Sequence, residues 1–564
     1  MIKKINIPAF VFQPIYKENS TKEVIKRHDD ILEIEFPIFE KEEVLNIAEK
    51  LALKKRRAHD RNIDDILEVI DHVGDLWRNP NYDIHKEALE IIALMTGQSK
   101  KLCEIELMGT LSLWSRGIAE AELMGEIGGK NYLEDWVTKG DMRIHAQPRG
   151  LILHNMAGNA FNLGLLTIFY GLITKNVNLI KLSHGEPYIT VRLCESIADI
   201  DKKIANEIVA LYWKGSRTDI YDALFHSGTI DGVLAWGGID SIEEVRRKAY
   251  HYGIKIIDHG PKLSFSVISE DIFKDINQMR EIAQKLAIDI ICWNQKACLS
   301  PRVIYIVDDP QKSATFEKYT NDLSSKSSDL QGSSQPNNKF FDYNVDESSG
   351  SEISTLMQRS LKLLRNECSE LSPKGFAKML AKGFEKIDEI LPRAHLTSVD
   401  SLSTAKKREY FFMNYSINKA ARIFTPPKNK LDWTVIYFRD LPKMKEIDMC
   451  QDRFVIVTRI FNIQNLIYSI RKEKLQKYMQ TVSIYGTDDF VKKVAEDLSL
   501  IGAYRFPRIG EHNIQPVGAP WDGHYVLQDM IKWVYIGYTG QENDNNETQK
   551  ISLFKGLEIP DTNE

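Results

Sequence analysis

The sequence predicts an α/β protein with doubly wound parallel sheets that follow a helical N-terminal region. From Arg149 onward, short apolar segments typical of buried strands alternate with longer helical segments, which is the order that builds parallel sheets. Residues 1–140 instead place apolar residues at helical spacing among charged ones, as in "EEVLNIAEKLALKKRRAHD". Because 564 residues exceed what one core usually holds, we expect two or three domains.

The first strand and helix units lie between residues 149 and 269. The segment "GLILHNMAGN" predicts a buried strand that ends in a turn of small residues, and "AFNLGLLTIFYGLITKN" predicts a strongly apolar helix. A second buried strand, "VNLIKLS", is followed by a helix that begins near Pro187. Further strands are predicted in "DGVLAWGG", "IKIID" and "LSFSVIS", with the helix "SIEEVRRKAYHYG" after the first of them.

The second half of the chain repeats this alternation. Strands are predicted in "RVIYIVDD", "WTVIYF", "RFVIVTRIF" and "TVSIYG", with a helix in "NLIYSIRKEKLQKY". The Ser-rich segment at 324–354 indicates a mobile surface insertion. We therefore predict four regions: a helical region over 1–140, a nucleotide-cofactor domain over 141–262, a catalytic domain over 263–480, and a C-terminal segment over 481–564 that returns to the cofactor domain and contributes to oligomerisation.

Composition excludes several classes of protein. The net charge of -5 offers no basic surface for nucleic acid. No run of about 18 apolar residues predicts a membrane span, and the N-terminus lacks the apolar stretch of a signal peptide. The six cysteines show neither CxxC pairs nor metal-ligand spacing, so we expect free thiols, a cytoplasmic location and no metal site.

One cysteine has flanks suited to a nucleophile. Cys298 lies in "WNQKACLSP", where Asn294, Gln295 and Lys296 are candidates to lower the pKa of its thiol. Cys292 lies in an apolar run and is expected to be a packing residue.

Three further sites could either take part in function or have a purely structural role. Asn159, in the turn after a strand, is either a turn residue or an amide that binds the oxygen of a tetrahedral intermediate. Lys181 ends a buried strand, where ligands bind in open α/β sheets, although many such lysines are only solvated. Gly237 and Gly238, between a strand and a helix, would let a phosphate approach the backbone, but they do not form a GxGxxG motif.

Taken in order, these segments resemble the aldehyde dehydrogenase superfamily. They resemble more closely the bacterial long-chain fatty acyl-CoA reductases of the bioluminescence fatty acid reductase system, the LuxC family. The resemblance rests on "HNMAGNAFNLGLLTIFYGLITKNVNLIKLS", "AWGG", "HGPKLSFSVI", "WNQKACLSPR", "GAYRFPRIGE" and "PWDGHYVLQDMIKWV", and it covers residues 141–538 apart from the insertion.

The resemblance implies an aldehyde dehydrogenase-like fold and a role for each candidate. Cys298 matches the acylated nucleophile and Asn159 the oxyanion-binding amide. Lys181 matches the lysine that reaches the adenosine ribose, and Gly237 and Gly238 match the turn near the cofactor phosphates. The implied reaction is NADPH-dependent reduction of a long-chain fatty acyl thioester to a fatty aldehyde through an acyl-cysteine, with an acyl-CoA or an acyl-protein synthetase as donor. A homo-oligomer is also implied.

Two positions depart from the superfamily pattern. Asp258 replaces the glutamate that activates water in hydrolytic aldehyde dehydrogenases, which favours the reductive direction, because reduction of a thioester needs no water. Glu243 falls near the second glycine of the cofactor turn. The proton donor is not identified, and Asp258 and His259 are the candidates.

The cofactor preference follows from the residues after Lys181. His184 replaces a glutamate that binds the adenosine ribose in many NAD-preferring relatives, and Ser183 precedes it. An imidazole and a hydroxyl tolerate a 2′-phosphate better than a carboxylate does, so NADPH is predicted. Two alternative functions stay open: a short-chain acylating aldehyde dehydrogenase, and a non-catalytic acyl carrier or scaffold within a synthetase complex.

Overall fold

The structure is a computed structural model that describes residues 2–27, 30–140, 142–307, 370–394 and 396–537. The Ser-rich segment predicted at 324–354 lies outside the described residues. The strands are β1 (Ile2–Asn6), β2 (Ala9–Val11), β3 (Pro14–Ile15), β4 (Ser20–Arg27), β5 (Asp30–Pro37), β6 (Val137–Lys139), β7 (Met142–Pro148), β8 (Leu151–Asn155), β9 (Val177–Lys181), β10 (Ile208–Leu211), β11 (Gly232–Trp236), β12 (Lys255–His259), β13 (Leu263–Ser269), β14 (Pro301–Val307), β15 (Ala421–Phe424), β16 (Thr434–Phe438), β17 (Phe454–Ile460), β18 (Met479–Tyr485) and β19 (Ile531–Gly537).

The α-helices of the described residues surround these strands. They are α1 (Lys41–Ala52), α2 (Lys55–His59), α3 (Ile63–Arg78), α4 (Asp83–Thr96), α5 (Lys100–Leu111), α6 (Arg116–Ile127), α7 (Asn131–Glu134), α8 (Leu163–Ile173), α9 (Tyr188–Ile200), α10 (Lys202–Ala205), α11 (Thr218–His226), α12 (Ile239–His251), α13 (Ile276–Ile291), α14 (Pro373–Ile390), α15 (Ser398–Phe411), α16 (Met444–Asp448), α17 (Ile463–Lys472), α18 (Asp488–Ser499) and α19 (Val526–Asp529).

The N-terminal region is helical only from Lys41, so the predicted helical region over 1–140 is wrong for the segment before that residue. This segment contains β1–β5, and β5 buries Leu32, Ile34 and Phe36 at every second position, which is the period of a strand. Charged residues between them obscure this alternation in the sequence. The helices α1–α7 follow, and Ser99 and Ser115 cap α5 and α6 by accepting hydrogen bonds from backbone N–H groups.

The first large sheet has seven strands in the order β12-β11-β8-β9-β10-β2-β3. The five strands from β8 to β12 are parallel, and all residues of β8, β9, β10 and β11 are buried. The chain moves outward from β8 through β9 to β10 and then returns to place β11 on the other side of β8. In such sheets the crevice at the carboxyl ends of the two central strands is the usual binding site for a ligand.

The second large sheet has six strands in the order β15-β16-β17-β14-β13-β18, and only β15 runs antiparallel to its neighbour. The helices α13 and α14 pack on it and bury Leu286, Phe376 and Phe384 in one apolar cluster. The domain boundary predicted after residue 480 falls inside β18, which pairs with β13. The strand β18 therefore belongs as a whole to this sheet.

The last strand returns to the first half of the chain. β19 pairs antiparallel with β7, and β7 pairs with β6, so residues far apart in sequence form one three-stranded sheet. The guanidinium of Arg149 donates hydrogen bonds to the carbonyl oxygens of Asp529 and Ile531, each at 2.8 Å. The segment between β18 and β19 consequently crosses from the six-stranded sheet to this three-stranded sheet, whose strand β7 is followed directly by β8 of the seven-stranded sheet.

Candidate active site

A cavity of about 1010 Å³ opens where the two large sheets meet. Its walls include Asn155 and Trp236 at the carboxyl ends of β8 and β11, and the loop that follows α13. Of the residues predicted to act in the site, Cys298, Asn159, Lys181, Gly237 and Gly238 line it.

The loop that carries Cys298 is held by its own side chains. After α13 the backbone is left-handed at Trp293, Asn294 and Gln295, with φ values of 56°, 48° and 60°. The Asn294 amide donates to the backbone of Thr96, and the Gln295 amide donates to Pro301 O at 3.0 Å. Buried hydrogen bonds of this kind fix a backbone conformation that is otherwise unfavourable.

The prediction that the residues before Cys298 lower the pKa of its thiol is wrong. The amides of Asn294 and Gln295 are bonded to backbone groups elsewhere, and the Lys296 ammonium lies 3.6 Å from Asp452. Burial raises the pKa of Cys298 to about 11, and the charge of Asp522 acts in the same direction, although other groups oppose this shift. The thiol is therefore protonated near pH 7, and its reaction as a nucleophile requires a proton acceptor.

Cys292 also lines the cavity, which its apolar flanks did not predict. Burial raises the pKa of its thiol, and the carboxylates of Glu106 and Asp289 act in the same direction. Arg453 acts in the opposite direction. Because both thiols line the cavity, their positions do not show which of them is the nucleophile.

Asn159 is placed beside the cysteine loop. Its side chain is exposed to the cavity, and its amide donates a hydrogen bond to Lys296 O at 3.3 Å. The neighbouring Asn155 is engaged with Trp236 and Tyr221, and the Asn162 amide donates to Thr110. Of these three asparagines, Asn159 is the most exposed to the cavity.

Lys181 lies at the end of β9 with only 8% of its surface exposed. Burial lowers the pKa of its ammonium group to about 8. Its Nζ forms neither a hydrogen bond nor an ion pair with any described residue. A buried ammonium without a partner is costly, so this group fits a ligand that brings hydroxyl or phosphate oxygens into the cavity.

The glycine turn also lines the cavity. Gly238 is the N-cap of α12, and a side chain added there would meet no atom within 4 Å. A side chain at Gly237 would approach Ser241 at 3.3 Å. The backbone N–H groups at the start of a helix and this free space are suited to a phosphate. The residues present therefore fit a dinucleotide, although Glu243 falls near the position where the superfamily has a further glycine.

Ser183 and His184 do not line the cavity. The Ser183 hydroxyl accepts a hydrogen bond from Gly185 N, and the His184 ring lies 2.9 Å from a carboxylate oxygen of Glu23 on β4. The sequence prediction assumed that no carboxylate remains near this position. That assumption is wrong, because β4 brings one from the N-terminal part of the chain.

His259, one of the two residues considered as proton donor, belongs to a hydrogen-bonded group that the sequence did not predict. His259 lines the cavity, stacks on Trp236 with ring centroids 4.0 Å apart, and forms a 2.9 Å contact from Nδ1 to Asp522. Asp522 also accepts a 2.5 Å hydrogen bond from Gln480, whose side chain acts to lower the pKa of Cys298. The sequence could not reveal this group, because Asp522 lies in the returning segment, far from His259 along the chain.

Asp258, the other residue considered as proton donor, does not line the cavity as His259 does. Its carboxylate is bound by Arg246 at 2.8 Å. The position at which hydrolytic aldehyde dehydrogenases carry a catalytic glutamate is therefore occupied by an ion pair outside the cavity.

The fold defines the structural class, which is that of the aldehyde dehydrogenases. The structure is similar to aldehyde dehydrogenase 21 from Physcomitrella patens, with a TM-score of 0.63, 12% identity, and 96% of this chain and 100% of that chain covered. It is equally similar to an NADP-dependent glyceraldehyde-3-phosphate dehydrogenase from Bacillus halodurans C-125, with a TM-score of 0.63, 14% identity, and 95% and 100% covered. The predicted fold class is confirmed.

Within this class, the family model described as acyl-CoA reductase (LuxC) matches residues 58–333 and 361–533. The chain belongs to this family, as the sequence motifs predicted. It is 24% identical over 494 residues to a long-chain acyl-protein thioester reductase of Aliivibrio fischeri, with 87% of this chain and 84% of that protein covered. A protein of the same name from Photorhabdus laumondii is 26% identical over 533 residues, with 92% and 91% covered.

Among the described residues, every helix is too short or too polar to cross a membrane.

Proposed function

We propose that this acyl-CoA reductase converts a long-chain fatty acyl thioester to a fatty aldehyde through an acyl group on Cys298, with NADPH as reductant. The observation that carries the proposal is that one cavity combines two sets of groups. Cys298 and Asn159 line the same cavity as Lys181 and the Gly237–Gly238 turn.

Acylation begins with attack of the Cys298 sulfur on the thioester carbonyl. The carbonyl oxygen becomes negative, and the Asn159 amide and the backbone N–H of Cys298 would donate hydrogen bonds to it. The donor thiol then leaves and the acyl group remains on Cys298. The geometry supports this role for Asn159, because its amide is already directed to the backbone of the cysteine loop.

The cofactor would be held by groups that are free to receive it. Lys181, whose ammonium has no partner among the described residues, would bind the adenosine ribose or its phosphate, and the start of α12 at Gly238 would receive the pyrophosphate. When bound, the nicotinamide supplies a hydride to the acyl carbon. A relative of similar fold from Bacillus halodurans was crystallised with NADP, which supports a nicotinamide dinucleotide in this class of site.

The preference for NADPH rests on the charge near Lys181. In place of a single glutamate, the chain has His184 paired with Glu23. Because the imidazole engages that carboxylate, a 2′-phosphate would meet less repulsion than it would meet from an unpaired glutamate. The ammonium of Lys181 adds a favourable charge.

The acyl chain would lie along the apolar side of the cavity. Its lining there includes Leu113, Met156, Leu163, Leu166 and Trp293, contributed by α8 and by the segments next to α5, β8 and α13. Burial of a fatty chain against such side chains stabilises the complex by about 0.8 kcal/mol per CH₂ group. The sequence did not predict this apolar lining, because its residues come from four separate segments.

The direction of the reaction is supported by Asp258. Since its carboxylate is paired with Arg246 outside the cavity, it does not activate water next to an acyl-cysteine. The relatives from Aliivibrio fischeri and Photorhabdus laumondii are named acyl-protein thioester reductases, so we propose that the acyl donor is an acyl-CoA or an acyl-protein synthetase. We also propose a homo-oligomer and a cytoplasmic location.

The test is mass spectrometry of the intact protein with acyl-CoAs of 4 to 16 carbons, with and without NADPH. We expect a covalent acyl adduct without cofactor, and its loss together with release of aldehyde when NADPH is added. A fatty acid as product would identify a hydrolase. An adduct that NADPH does not discharge would favour an acyl carrier, and a preference for the shortest donors would favour a short-chain acylating aldehyde dehydrogenase.

A further inference from the structure

The thiol of Cys298 must lose its proton before the sulfur can attack an acyl group. Its thiol has a pKa raised to about 11 because it is buried and lies near Asp522, so almost none of it is ionised at neutral pH. Lys296, two residues before it in the sequence, has its ammonium 3.6 Å from Asp452. A group that removes the proton is therefore required within the cavity.

We infer that His259 is the general base and acid for Cys298, and that Asp522 and Gln480 position it. This inference rests on the proposed function, because it assigns the proton transfers that accompany acylation and release at the same thiol. The residues involved come from the end of β12, the start of β18 and the returning segment before β19.

The contact with Asp522 determines which ring nitrogen of His259 is free. Both side chains are 2% exposed, and Nδ1 of His259 lies 2.9 Å from the Asp522 carboxylate. A carboxylate accepts, so Nδ1 carries the proton and Nε2 is left with its lone pair. The Nε2 atom is buried and has no hydrogen-bond partner among the described residues, while His259 itself lines the cavity with Cys298.

Asp522 is held in the charged form that this role requires. Burial acts to raise its pKa, but the hydrogen bond from His259 acts against burial, and the pKa of Asp522 is lowered. Gln480 donates to its other oxygen at 2.5 Å. An ionised carboxylate with both oxygens bonded fixes the imidazole ring and stabilises it when it becomes protonated.

The ring of His259 is also fixed by aromatic contacts. It stacks on Trp236 at an angle of 16°, and Trp521 meets it edge-on at 6.5 Å. The other charged groups that act on this pair are Lys262, which acts on Asp522, and Arg505, which acts on both Cys298 and Asp522. Such packing restricts the imidazole to one orientation before any substrate binds.

The proton is accounted for in both half-reactions. During acylation, the proton of the Cys298 thiol passes to His259 Nε2 as sulfur bonds to the acyl carbon, and it then passes to the donor thiolate as the old C–S bond breaks. During release, the acyl carbon has taken up a hydride, the C–S bond to Cys298 breaks, and the carbonyl forms again. His259 then returns to the Cys298 sulfur a proton taken from solvent.

The first test measures acylation of Cys298 without cofactor, by rapid mixing with hexadecanoyl-CoA and mass spectrometry between pH 6 and 10. At pH 7 we expect His259→Ala to acylate about 10²–10⁴ times more slowly than the unmodified protein. The rate of the variant should keep rising about tenfold per pH unit, because it depends on spontaneous ionisation of the thiol. Added imidazole should restore part of the rate at pH 7.

Two further variants separate catalysis from folding. Asp522→Asn retains the shape of the side chain but no longer holds the tautomer, so we expect slow acylation in a folded protein. His154→Gln is the matched control, because His154 is also buried with one unpaired ring nitrogen but does not line the cavity. It should acylate at the rate of the unmodified protein.

The outcomes distinguish this inference from the proposed function. If the unmodified protein forms no acyl-Cys298, the proposed function fails. If it forms the adduct, and a folded His259→Ala variant forms it within threefold of the same rate at pH 7 with the same pH profile, the role of His259 is refuted and the function stands.

Discussion

The thiol of Cys298 and that of Cys292 lie six positions apart on one loop and line the same cavity. Of the two, only Cys298 interacts with Gln480 and Arg505, and both of these groups act to lower the pKa of its thiol. We therefore expect Cys298→Ala to form no acyl-enzyme and no aldehyde, whereas Cys292→Ala retains both. Peptide mapping of the acylated protein checks this, and an adduct on a peptide without Cys298 would contradict it.

Asn159 is expected to act on the transition state of acylation. Asn159→Ala should slow acyl transfer to Cys298 by about 10²–10³-fold, which corresponds to roughly 3–4 kcal/mol, because one oxyanion donor is lost. The melting temperature should change little, since the side chain is exposed. Single-turnover acylation kinetics measure the effect. Asn162→Ala is the comparison, and equal rates for the two variants would show that Asn159 has only a structural role.

The pair formed by His184 and Glu23 is expected to set the cofactor preference. His184→Glu adds a carboxylate and removes the imidazole that pairs with Glu23, so kcat/KM should shift toward NADH. Glu23→Gln removes the carboxylate and should shift the ratio toward NADPH. Steady-state kinetics with both cofactors measure these ratios. Equal kcat/KM values for NADPH and NADH in the unmodified protein would contradict the predicted preference.

For individual residues, the sequence predicted the candidates that lie next to strand ends. It did not predict the side chains that contact them. Cys298, Asn159, Lys181 and the glycine turn line the cavity as their positions implied. Partners brought from elsewhere could not be predicted: Asp522 beside His259, and Glu23 beside His184. Both contacts depend on chain segments that approach only in the folded protein.

The helix α5 contributes a glycine to the lining of the cavity. Gly109 lies within this helix, lines the cavity, and has no atom within 4 Å of the place where a Cβ would be. A glycine inside a helix costs about 1 kcal/mol relative to alanine, so this position carries a cost in stability while it leaves space for a ligand.

A large side chain at Gly109 should therefore shorten the acyl chains that the protein accepts. We expect Gly109→Phe to lower kcat/KM for hexadecanoyl-CoA by at least about tenfold, since overpacking typically costs about 1–3 kcal/mol, and to leave butanoyl-CoA little affected. Gly117→Phe, at an equally open position of α6, is the control. An equal loss for both chain lengths would indicate a general distortion of α5.

Strands and helices were predicted correctly where the sequence contains a continuous apolar run. The apolar strands β8, β9 and β11 and the helix α8 follow directly from continuous buried runs. The strands before Lys41 were missed because their exposed faces carry lysine and glutamate, so their alternation resembles a charged amphipathic helix.

For the molecule as a whole, buried carboxylates hold the returning segment, residues 505–530. Glu122 and Glu126 on α6 accept hydrogen bonds from the backbone N–H groups of Gly518 and Leu527, and Asp289 on α13 accepts from Gly510 and His512. Burial raises the pKa of Asp289 to about 7, with smaller opposing contributions from the two backbone hydrogen bonds.

This shift predicts a pH dependence of stability. Between its unfolded pKa of about 4 and its folded pKa of about 7, Asp289 binds more protons in the folded state. Its contribution to the free energy of unfolding therefore falls by about 1.4 kcal/mol per pH unit as the pH rises through this window, and is constant above it. Asp289→Asn should lose stability relative to the unmodified protein at pH 5 and regain much of the difference by pH 7.5.

Urea unfolding of both proteins across this range measures the effect. The comparison cancels the contributions of groups common to both proteins, including His154 and His512, whose pKa values burial lowers to about 4 and which act in the opposite direction. A difference in stability that does not change with pH would show that Asp289 has no raised pKa.

The returning segment also has a consequence for synthesis on the ribosome. The seven-stranded sheet, Asn159 and Cys298 have all been made shortly after the middle of the chain, whereas Asp522 and β19 come much later. A nascent chain can therefore expose a thiol long before the carboxylate that orients His259 exists. If Asp522 positions His259 as inferred, the thiol becomes reactive only late in translation, and partly synthesised chains or products of premature termination would not take up acyl groups from the cellular pool.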